Sequence, residues 1–374
     1  MRIGFITYGM DRPLTGIGRY TLEMARAFEQ TGSDAEIVLL TAGGLGALAD
    51  SPLERVPLPG CRLLPGLLTL GHGLLPYLAQ RHKLDIIHDP VAMTPMLFGA
   101  ARARIVSTVY DIIPISYPGS SSRLDEWVYR YWLPFKLPQV DAVITISDYS
   151  RSDIVRHLRV QPERVRVIYC GVRDHFRPIP SDEAEAYLLK RYQIDYPYLL
   201  YVGNLTKRKN IELALRGFAG VAERYPDLRF LLVGPSVFRQ TPVGAIAASL
   251  GIADRIVVTG AVSDADLPPL YSRAQAFLFP SFYEGFGLPV IEAMACGAPV
   301  IASTAASLPE VVADAGILVD PHSAAEMTAA LDRVLSDESL RADLREKGFR
   351  RAAIFTWAQT ARQTIDLYRD VLAR

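Results

Sequence analysis

Two glutamates eight positions apart, Glu284 and Glu292, stand in a stretch that suits a ligand carrying phosphates and hydroxyls. The stretch, Pro280–Gly297, begins where an apolar strand ends and leads through Gly285 and Gly287 into a helix. Glycines let a ligand approach the main chain, and free amides at a helix N-terminus suit a diphosphate. Carboxylates accept hydrogen bonds from vicinal sugar hydroxyls. One glutamate near a helix start is better explained by a turn cap or by the positive end of the helix, but the whole pattern favours a binding site.

Three consecutive cations, Lys207, Arg208 and Lys209, follow a predicted strand and a turn at Gly203. At the carboxyl edge of a sheet such a group can neutralise two phosphates, with Arg forming forked contacts and Lys acting as a point charge. A solvated basic turn would explain the three residues on their own. Their position beside a glycine turn favours phosphate binding.

Candidates in the first half are Gly16, Gly18 and Asp111. The two glycines follow the first strand and can bring backbone amides to a phosphate. Asp111 follows another strand, where it either orients or deprotonates an acceptor hydroxyl or caps a turn. The third glycine of a dinucleotide fingerprint is replaced by Thr21, and the second strand lacks a terminal acidic residue. NAD binding is therefore disfavoured.

The elements that must position these residues follow an alternating α/β pattern of short apolar runs and amphipathic segments. The predicted strands of the first half are Arg2–Tyr8, Glu36–Thr41, Ile86–His88, Ile105–Tyr110, Ala142–Ser147 and Val165–Ile168. Those of the second half are Tyr198–Val202, Arg229–Val233, Ile256–Thr259, Ala276–Pro280, Val300–Ala302 and Ile317–Val319. The predicted helices include Tyr20–Gln30, Tyr149–His157, Ile211–Tyr225, Pro242–Leu250, Asp264–Ser272, Pro289–Cys296 and Trp357–Leu372.

The length of 374 residues is right for two domains. Turn formers in Gly171–Pro180 interrupt the periodicity. The sequence therefore predicts domains at 1–172 and 173–356, each a doubly wound parallel sheet. The two domains are expected to form a cleft at the carboxyl ends of both sheets, where ligands bind in open α/β folds.

Composition limits the partners and the compartment. Lys+Arg and Asp+Glu both number 40, and the absence of a basic excess argues against a nucleic-acid partner. Cys61, Cys170 and Cys296 form no CxxC pair, which favours a reducing compartment, and no residue cluster has metal-ligand spacing. No secretory signal or apolar run of about 18 residues is present, so a cytoplasmic location is expected. The apolar stretch Leu63–Leu78 is either a buried helix and loop or a contact with the inner membrane surface.

The stretch from Glu284 to Glu292 resembles the E-x7-E motif of the retaining glycosyltransferases of family 4, also called group 1. The resemblance extends over essentially the whole chain. It implies the GT-B fold, in which two Rossmann-like domains face each other across a cleft and a C-terminal helix, about 357–374, packs back on the first domain. It also implies that Glu284 lies beside the donor sugar and that Glu292 binds the ribose.

The same resemblance implies a diphosphate clamp of Lys209 and Arg208. Many relatives carry Arg directly after the strand glycine, where this chain has Asn204, so Arg208 is the expected substitute with Lys207 in reserve. Tyr110 stands where relatives have a His near the reacting carbon. The residues implied to bind the donor are Gly16, Gly18, Gly203, Arg208, Lys209, Val262 in a nucleobase loop, Glu284, Gly285, Phe286, Gly287, Leu288 and Glu292.

The implied activity is transfer of a sugar from a nucleoside-diphosphate sugar to an acceptor hydroxyl with retention, with Glu284, Lys209 and Asp111 as catalytic residues and no bound cofactor or metal. The GIGRY and RKN segments resemble bacterial mannosyltransferases that use GDP-mannose. A UDP-sugar donor and a nucleotide-sugar epimerase or phosphorylase of the same fold stay open as alternatives. The expected acceptor is a glycan or lipid-linked saccharide of cell-surface polysaccharide synthesis, and no oligomeric state is predicted.

Overall fold

A computed structural model describes residues 1–12, 14, 16–91, 93, 102–234, 238 and 241–374 of the chain. The chain divides into two compact units, the first made of Met1–Gly171 with Thr356–Arg374 and the second of Val172–Phe355. Each unit contains a parallel sheet whose strands alternate along the chain with helices. The prediction of two doubly wound α/β sheets is confirmed.

The sheet of the first unit has seven strands in the described part of the chain. They are β1 (Arg2–Tyr8), β2 (Glu36–Ala42), β3 (Glu54–Pro57), β4 (Ile86–Asp89), β5 (Arg104–Thr108), β6 (Ala142–Thr145) and β7 (Val165–Val167). Their order is β3-β2-β1-β4-β5-β6-β7, and the pairs are parallel. The six predicted strands are present with differences only at their ends, whereas β3 was missed. Its four residues bury only Val56 and include two charges and a proline, a composition typical of an edge strand.

Among the described residues of Met1–Gly171, the first unit also contains six α-helices. They are α1 (Gly16–Gln30), α2 (Leu64–Arg81), α3 (Ile113–Ser116), α4 (Arg123–Trp127), α5 (Leu133–Lys136) and α6 (Asp148–Leu158). A π-helical turn, Val128–Trp132, joins α4 to α5. The helix predicted at Tyr20 begins at Gly16 instead, so Gly16 and Gly18 lie in its first turn and not in a loop before it.

The sheet of the second unit has the strand order β10-β9-β8-β11-β12-β13. Its strands are β8 (Tyr198–Val202), β9 (Arg229–Val233), β10 (Ile256–Gly260), β11 (Ala276–Phe279), β12 (Val300–Ser303) and β13 (Gly316–Val319). All six were predicted. The order reverses between β8 and β11, which pair in parallel with Phe277 opposite Leu200. Ligands of doubly wound sheets bind at the carboxyl ends of the two strands beside such a reversal.

The helices of the second unit pack a core that includes Phe218, Phe230, Leu278 and Leu331 against the sheet. They are α7 (Ser181–Tyr192), α8 (Ile211–Ala222), α9 (Pro242–Ser249), α10 (Leu267–Ser272), α11 (Leu288–Ala295), α12 (Leu308–Val312), α13 (Ala324–Ser336) and α14 (Glu338–Ala352). Helix α7 was not predicted. It buries only Ala184 and Leu188, so its apolar periodicity is weak.

The C-terminal helix α15 (Trp357–Leu372) belongs to the first unit. Its Tyr368 hydroxyl lies 2.6 Å from Nδ1 of His88 at the end of β4, and the Trp357 ring packs edge-on against Tyr20 of α1. Where the chain enters and leaves the second unit, the Val172 amide donates a hydrogen bond of 2.9 Å to the Phe355 carbonyl. The last helix is therefore part of the first unit's core.

Candidate active site

The predicted site segments of the second unit follow β8 and β11, the two strands at the reversal of strand order. After β8 the chain turns at Gly203, whose φ of +149° favours glycine, and reaches a 3-10 turn at Lys207–Lys209. After β11 it passes through 280–287 into α11. Because neighbouring parallel strands end at the same edge, the two segments meet.

At this meeting point the structure joins the predicted cations to the first glutamate. Nζ of Lys209 lies 2.7 Å from Oε1 of Glu284, and Nη1 of Arg208 lies 2.9 Å from the same oxygen. Arg208 also donates to the carbonyl of Tyr283 at 2.5 Å. The Lys209 ammonium lies 4.7 Å from the centre of the Phe279 ring. The three charged groups form one cluster, while Lys207 is exposed.

The backbone around this cluster is held by hydrogen bonds. Asn210 adopts a left-handed conformation with φ of 52°, and its side-chain amide donates to the carbonyls of Pro280 and Pro321 at 3.0 and 2.8 Å. The Phe282 amide donates to the Arg208 carbonyl at 2.8 Å. Asparagine tolerates this conformation better than most residues. These bonds fix the cation turn against the loop that carries Glu284.

The loop before α11 is anchored from its other side by Ser307. The Ser307 hydroxyl donates to the carbonyls of Glu284 and Phe286 at 2.9 and 3.2 Å. Gly287 has a φ of +104°, and a Cβ there would lie 3.0 Å from a Leu308 methyl. A side chain at this position would be strained and crowded.

Glu284 is buried, and burial alone would raise its pKa. The positive charges of Lys209 and Arg208 outweigh burial, so the pKa of the Glu284 carboxyl is lowered from its usual value. The carboxylate is therefore ionised at neutral pH, and it partly neutralises the two cations.

The second glutamate, Glu292, lies in α11 and is surrounded by different partners. Nη2 of Arg173 lies 3.7 Å from Oε1 of Glu292, and Nη1 of Arg173 lies 2.6 Å from Oδ2 of Asp264. Burial, and after it the charge of Glu292, holds the pKa of Tyr271 well above its usual value. Sequence reasoning missed Arg173, because an arginine in a turn-rich segment carries no local signal.

The predicted nucleobase loop follows β10. Val262 is half-buried there. The helix that was predicted to begin at Asp264 is capped by Ser263, which forms a capping box with Asp266. Asp264 instead forms the ion pair with Arg173.

Asn204 lies in the turn after β8, at the position where many relatives of the family carry Arg. It is exposed, and its carbonyl accepts a hydrogen bond of 2.7 Å from the Tyr201 hydroxyl. Arg208, the expected substitute for that cation, lies 2.9 Å from Glu284.

In the first unit, Gly18 is buried and a Cβ there would lie 3.1 Å from a Leu14 methyl, whereas Gly16 is exposed with open space around it. Asp111 is half-buried, and its Oδ1 accepts a hydrogen bond of 2.9 Å from the Ile113 amide. Asp111 therefore does cap a turn. Tyr110 is buried and donates to the carbonyl of Pro90 at 2.6 Å, which gives it a packing role.

Three further properties bear on the function. Across the residues that the structure describes, no group of three His, Cys, Asp or Glu side chains could hold a metal ion. Cys61, Cys170 and Cys296 are buried free thiols. None of the helices in the described ranges is long and apolar enough to cross a membrane.

Comparison with known proteins identifies the family. The family described as Glycosyl transferases group 1 matches residues 190–351, and Glycosyltransferase Family 4 matches residues 14–176. The chain is 31% identical to the O-antigen chain mannosyltransferase B of Escherichia coli over 99% of this chain and 100% of that protein. It is 27% identical to the MMP alpha-(1->4)-mannosyltransferase of Mycolicibacterium hassiacum over 100% and 99% of the two chains.

A solved structure of Anabaena HepE in complex with UDP and glucose has the same fold, with a TM-score of 0.76. Its sequence identity is 20%, over 99% of this chain and 100% of that one. The GT-B fold inferred from the sequence is thereby confirmed. The chain belongs to the group 1 glycosyltransferases of family 4 and is a glycosyltransferase enzyme.

Proposed function

We propose that the enzyme transfers mannose from GDP-mannose to a hydroxyl of a glycan or lipid-linked acceptor, with retention of configuration, in cell-surface polysaccharide synthesis. The observation that carries this proposal is the cluster of Lys209, Arg208 and Glu284 at the carboxyl ends of β8 and β11. Cations at that place suit a diphosphate, and a carboxylate beside them suits sugar hydroxyls.

In the proposed reaction, the bond between the anomeric carbon and the β-phosphate oxygen breaks. A bond from the acceptor oxygen to that carbon forms on the same face, and the acceptor proton passes to the departing phosphate oxygen or to the Asp111 carboxylate. Lys209 and Arg208 stabilise the charge that develops on the leaving diphosphate. Glu284 positions the donor sugar through its hydroxyls and keeps the two cations in place.

The rest of the donor is assigned to neighbouring groups of the second unit. Glu292 receives the ribose hydroxyls, and main-chain groups around Val262 receive the nucleobase. The diphosphate and the sugar contact the main chain of the turn after β8 and of the loop that leads into α11. The residues concerned are Gly203, Gly285, Phe286, Gly287 and Leu288. The second unit is thus the nucleotide-sugar-binding domain of the proposal.

The first unit, with α15, is proposed to be the acceptor-binding domain. Gly16 and Gly18 contribute main-chain contacts to the donor, and Asp111 orients or deprotonates the acceptor hydroxyl. The half-buried position of Asp111, three residues after the carboxyl end of β5, supports this assignment.

The choice of mannose is supported by the two mannosyltransferases that match this chain over nearly their full lengths. A UDP-sugar is the alternative donor, because the Anabaena structure holds UDP and glucose. A panel of nucleotide sugars distinguishes the two by thermal shift and by slow hydrolysis to free nucleoside diphosphate. GDP-mannose should raise the melting temperature and release GDP. Stabilisation by UDP-glucose alone would replace mannose with glucose, and return of an isomerised nucleotide sugar would replace transfer with epimerisation.

We also propose a cytoplasmic location with peripheral contact at the inner membrane face. In α2 and the residue before it, Leu63, Leu70 and Tyr77 are exposed while Leu67 and Leu75 are buried. The run from α4 to α5 adds three exposed rings on one helical face, namely Trp127, Tyr131 and Phe135, flanked by exposed Arg123 and Arg130. Aromatic rings with nearby arginines suit an anionic lipid surface.

Flotation with phosphatidylglycerol vesicles tests this location. Binding should weaken when Trp127, Tyr131 and Phe135 are replaced by serine together. An unchanged bound fraction would remove the membrane contact from the proposal.

A further inference from the structure

Arg173 connects three parts of the second unit. It lies at the start of that unit, in the turn-rich segment Gly171–Pro180 where the sequence predicts the domain boundary, yet its side chain is only 15% exposed. One nitrogen of its guanidinium pairs with Asp264 in the loop after β10, at 2.6 Å. The other lies 3.7 Å from Glu292 in α11.

An aromatic ring contacts the same guanidinium. Its central carbon lies 4.9 Å from the centre of the Phe176 ring. Phe176 packs edge-on against Tyr271, whose pKa in turn responds to the charge of Glu292. A planar guanidinium suits such a place better than an ammonium, because it stacks on a ring while its fork contacts two carboxylates.

Arg173 places a positive charge beside Glu292. The Glu292 side chain is only 14% exposed, and a neighbouring positive charge favours the ionised form of a carboxylate. At 3.7 Å the arginine stabilises that charge from beyond the usual hydrogen-bond distance. An ionised carboxylate is the form that accepts hydrogen bonds from two ribose hydroxyls.

We propose that Arg173 is a positioning residue for nucleotide recognition, which holds Glu292 ionised and aligned for the ribose and ties it to the nucleobase loop through Asp264. The proposal rests on the proposed function, in which Glu292 receives the ribose hydroxyls. It makes recognition of the ribose depend on a side chain that does not contact the nucleotide. An arginine that only braced the fold would weaken every ligand to the same degree.

Calorimetric titration of the full-length enzyme with GDP and with its 2′-deoxy and 3′-deoxy analogues tests this, with UDP and its analogues in parallel. The readout is the ratio of the Kd for a deoxy analogue to the Kd for the parent nucleotide. The wild type should prefer the parent by about tenfold or more, as expected for one hydrogen bond to a charged group. In Glu292→Gln the ratio should fall to a few-fold at most, because the amide oxygen accepts only a neutral hydrogen bond.

Arg173→Gln should lower the ratio nearly as far as Glu292→Gln does, while the Kd of the deoxy analogue changes little. The ratio of Arg173→Lys should lie between those of Arg173→Gln and the wild type. Arg216→Gln is the matched control, because Arg216 forms an exposed pair with Glu212 in α8. That variant should keep the wild-type ratio. If Arg173→Gln fails to fold, Asp264→Asn removes the other anchor of the guanidinium and should also lower the ratio.

The outcomes separate the two levels of inference. The role of Arg173 would be overturned if the ratio falls in Glu292→Gln but stays at the wild-type value in Arg173→Gln. The same holds for Asp264→Asn where it replaces Arg173→Gln. Either result would leave the assignment of Glu292 to the ribose standing. An unchanged ratio in Glu292→Gln would overturn the ribose assignment and the role of Arg173 with it. If neither nucleotide binds the wild type, the proposed function itself fails.

Discussion

Lys209 and Glu284 form an ion pair of 2.7 Å although 75 residues separate them in the sequence. Arg208 reaches the same carboxylate oxygen at 2.9 Å, so two cations share one anion and the cluster carries a net charge of +1. A diphosphate that binds these cations would compete with Glu284 for them. Substitution of any one of the three residues should therefore change how the other two bind a ligand.

Lys209→Ala should lower turnover by at least about tenfold, because one charge-assisted contact with the leaving diphosphate, worth about 1.5–3 kcal/mol, is lost. The rate of nucleoside-diphosphate release under donor saturation measures this. Lys207→Ala is the matched control, since Lys207 is a neighbouring but exposed cation. Near-normal turnover in Lys209→Ala would remove the phosphate-binding role of that residue.

Glu284→Gln should impair transfer while the protein still folds, because the amide keeps the size of the side chain but not its charge. Leaving the two cations with a neutral partner should lower the free energy of unfolding by about 1–3 kcal/mol at pH 7. Glu212→Gln, an exposed glutamate in α8, serves as control. Wild-type transfer rates in Glu284→Gln would contradict a role for this carboxylate at the donor.

The same variant has a pH signature. The pKa of Glu284 is lowered by folding from its usual 4.5, so its ionisation contributes stability that is present above that pH and is lost as the pH falls through the folded pKa. The difference in unfolding free energy between wild type and Glu284→Gln should therefore narrow below about pH 4.5. Denaturant titrations between pH 3 and pH 7 would show it, and a constant difference would speak against an ionised Glu284.

Asp111→Asn separates the two roles open to Asp111. The asparagine oxygen can still accept the hydrogen bond from the Ile113 amide, so the turn should stay intact. If Asp111 deprotonates the acceptor, transfer should fall by about a hundredfold, while donor hydrolysis changes little. A transfer rate equal to that of the wild type would leave Asp111 with its capping role alone.

His88 should make the first unit sensitive to acid. Burial lowers the pKa of His88 to about 3 from its usual 6.5. Between these two pKa values the unfolded state binds the proton and the folded state does not. The free energy of unfolding should therefore fall by about 1.4 kcal/mol for each unit by which the pH is lowered. His88→Gln should be less stable than wild type at pH 7.5, and the difference should shrink toward pH 4.5. Exposed His157 provides the control, and a difference independent of pH would refute the buried neutral imidazole.

Chelation should not affect transfer, because the proposed charge stabilisation comes from Lys209 and Arg208. Turnover measured with excess EDTA should equal turnover without it. Complete loss of activity that added Mg²⁺ or Mn²⁺ restores would show that a metal ion takes part.

Most of the fold followed from periodicity, because each strand of the second unit is a short apolar run between turn formers. Proximity of Lys209 to Glu284 required more, since it depends on β8 lying next to β11. Parallel doubly wound sheets place these strands side by side, so the family resemblance supplied what local pattern lacks. The edge strand β3 and helix α7 were missed because each buries few residues.

Side-chain partnerships were the least predictable part of the site. Asp264 stands at the predicted start of a helix, where a capping residue is expected. The cap is Ser263, because the side chains of Ser263 and Asp266 each accept a hydrogen bond from the backbone amide of the other. The partner that Asp264 has instead, Arg173, is 91 residues away. Contacts at such separation are set by the packing of whole elements, and no local sequence signal encodes them.

The hydrogen bond between Val172 and Phe355 shows that the second unit begins and ends at one place. In chain order this unit is an insertion within the first, and all its residues emerge from the ribosome before α15 does. The first unit cannot form the contact between His88 and Tyr368 until the last helix has been made. The unit that is synthesised first is thus completed last, and a chain truncated before α15 would leave the first unit incomplete while the second unit could still fold.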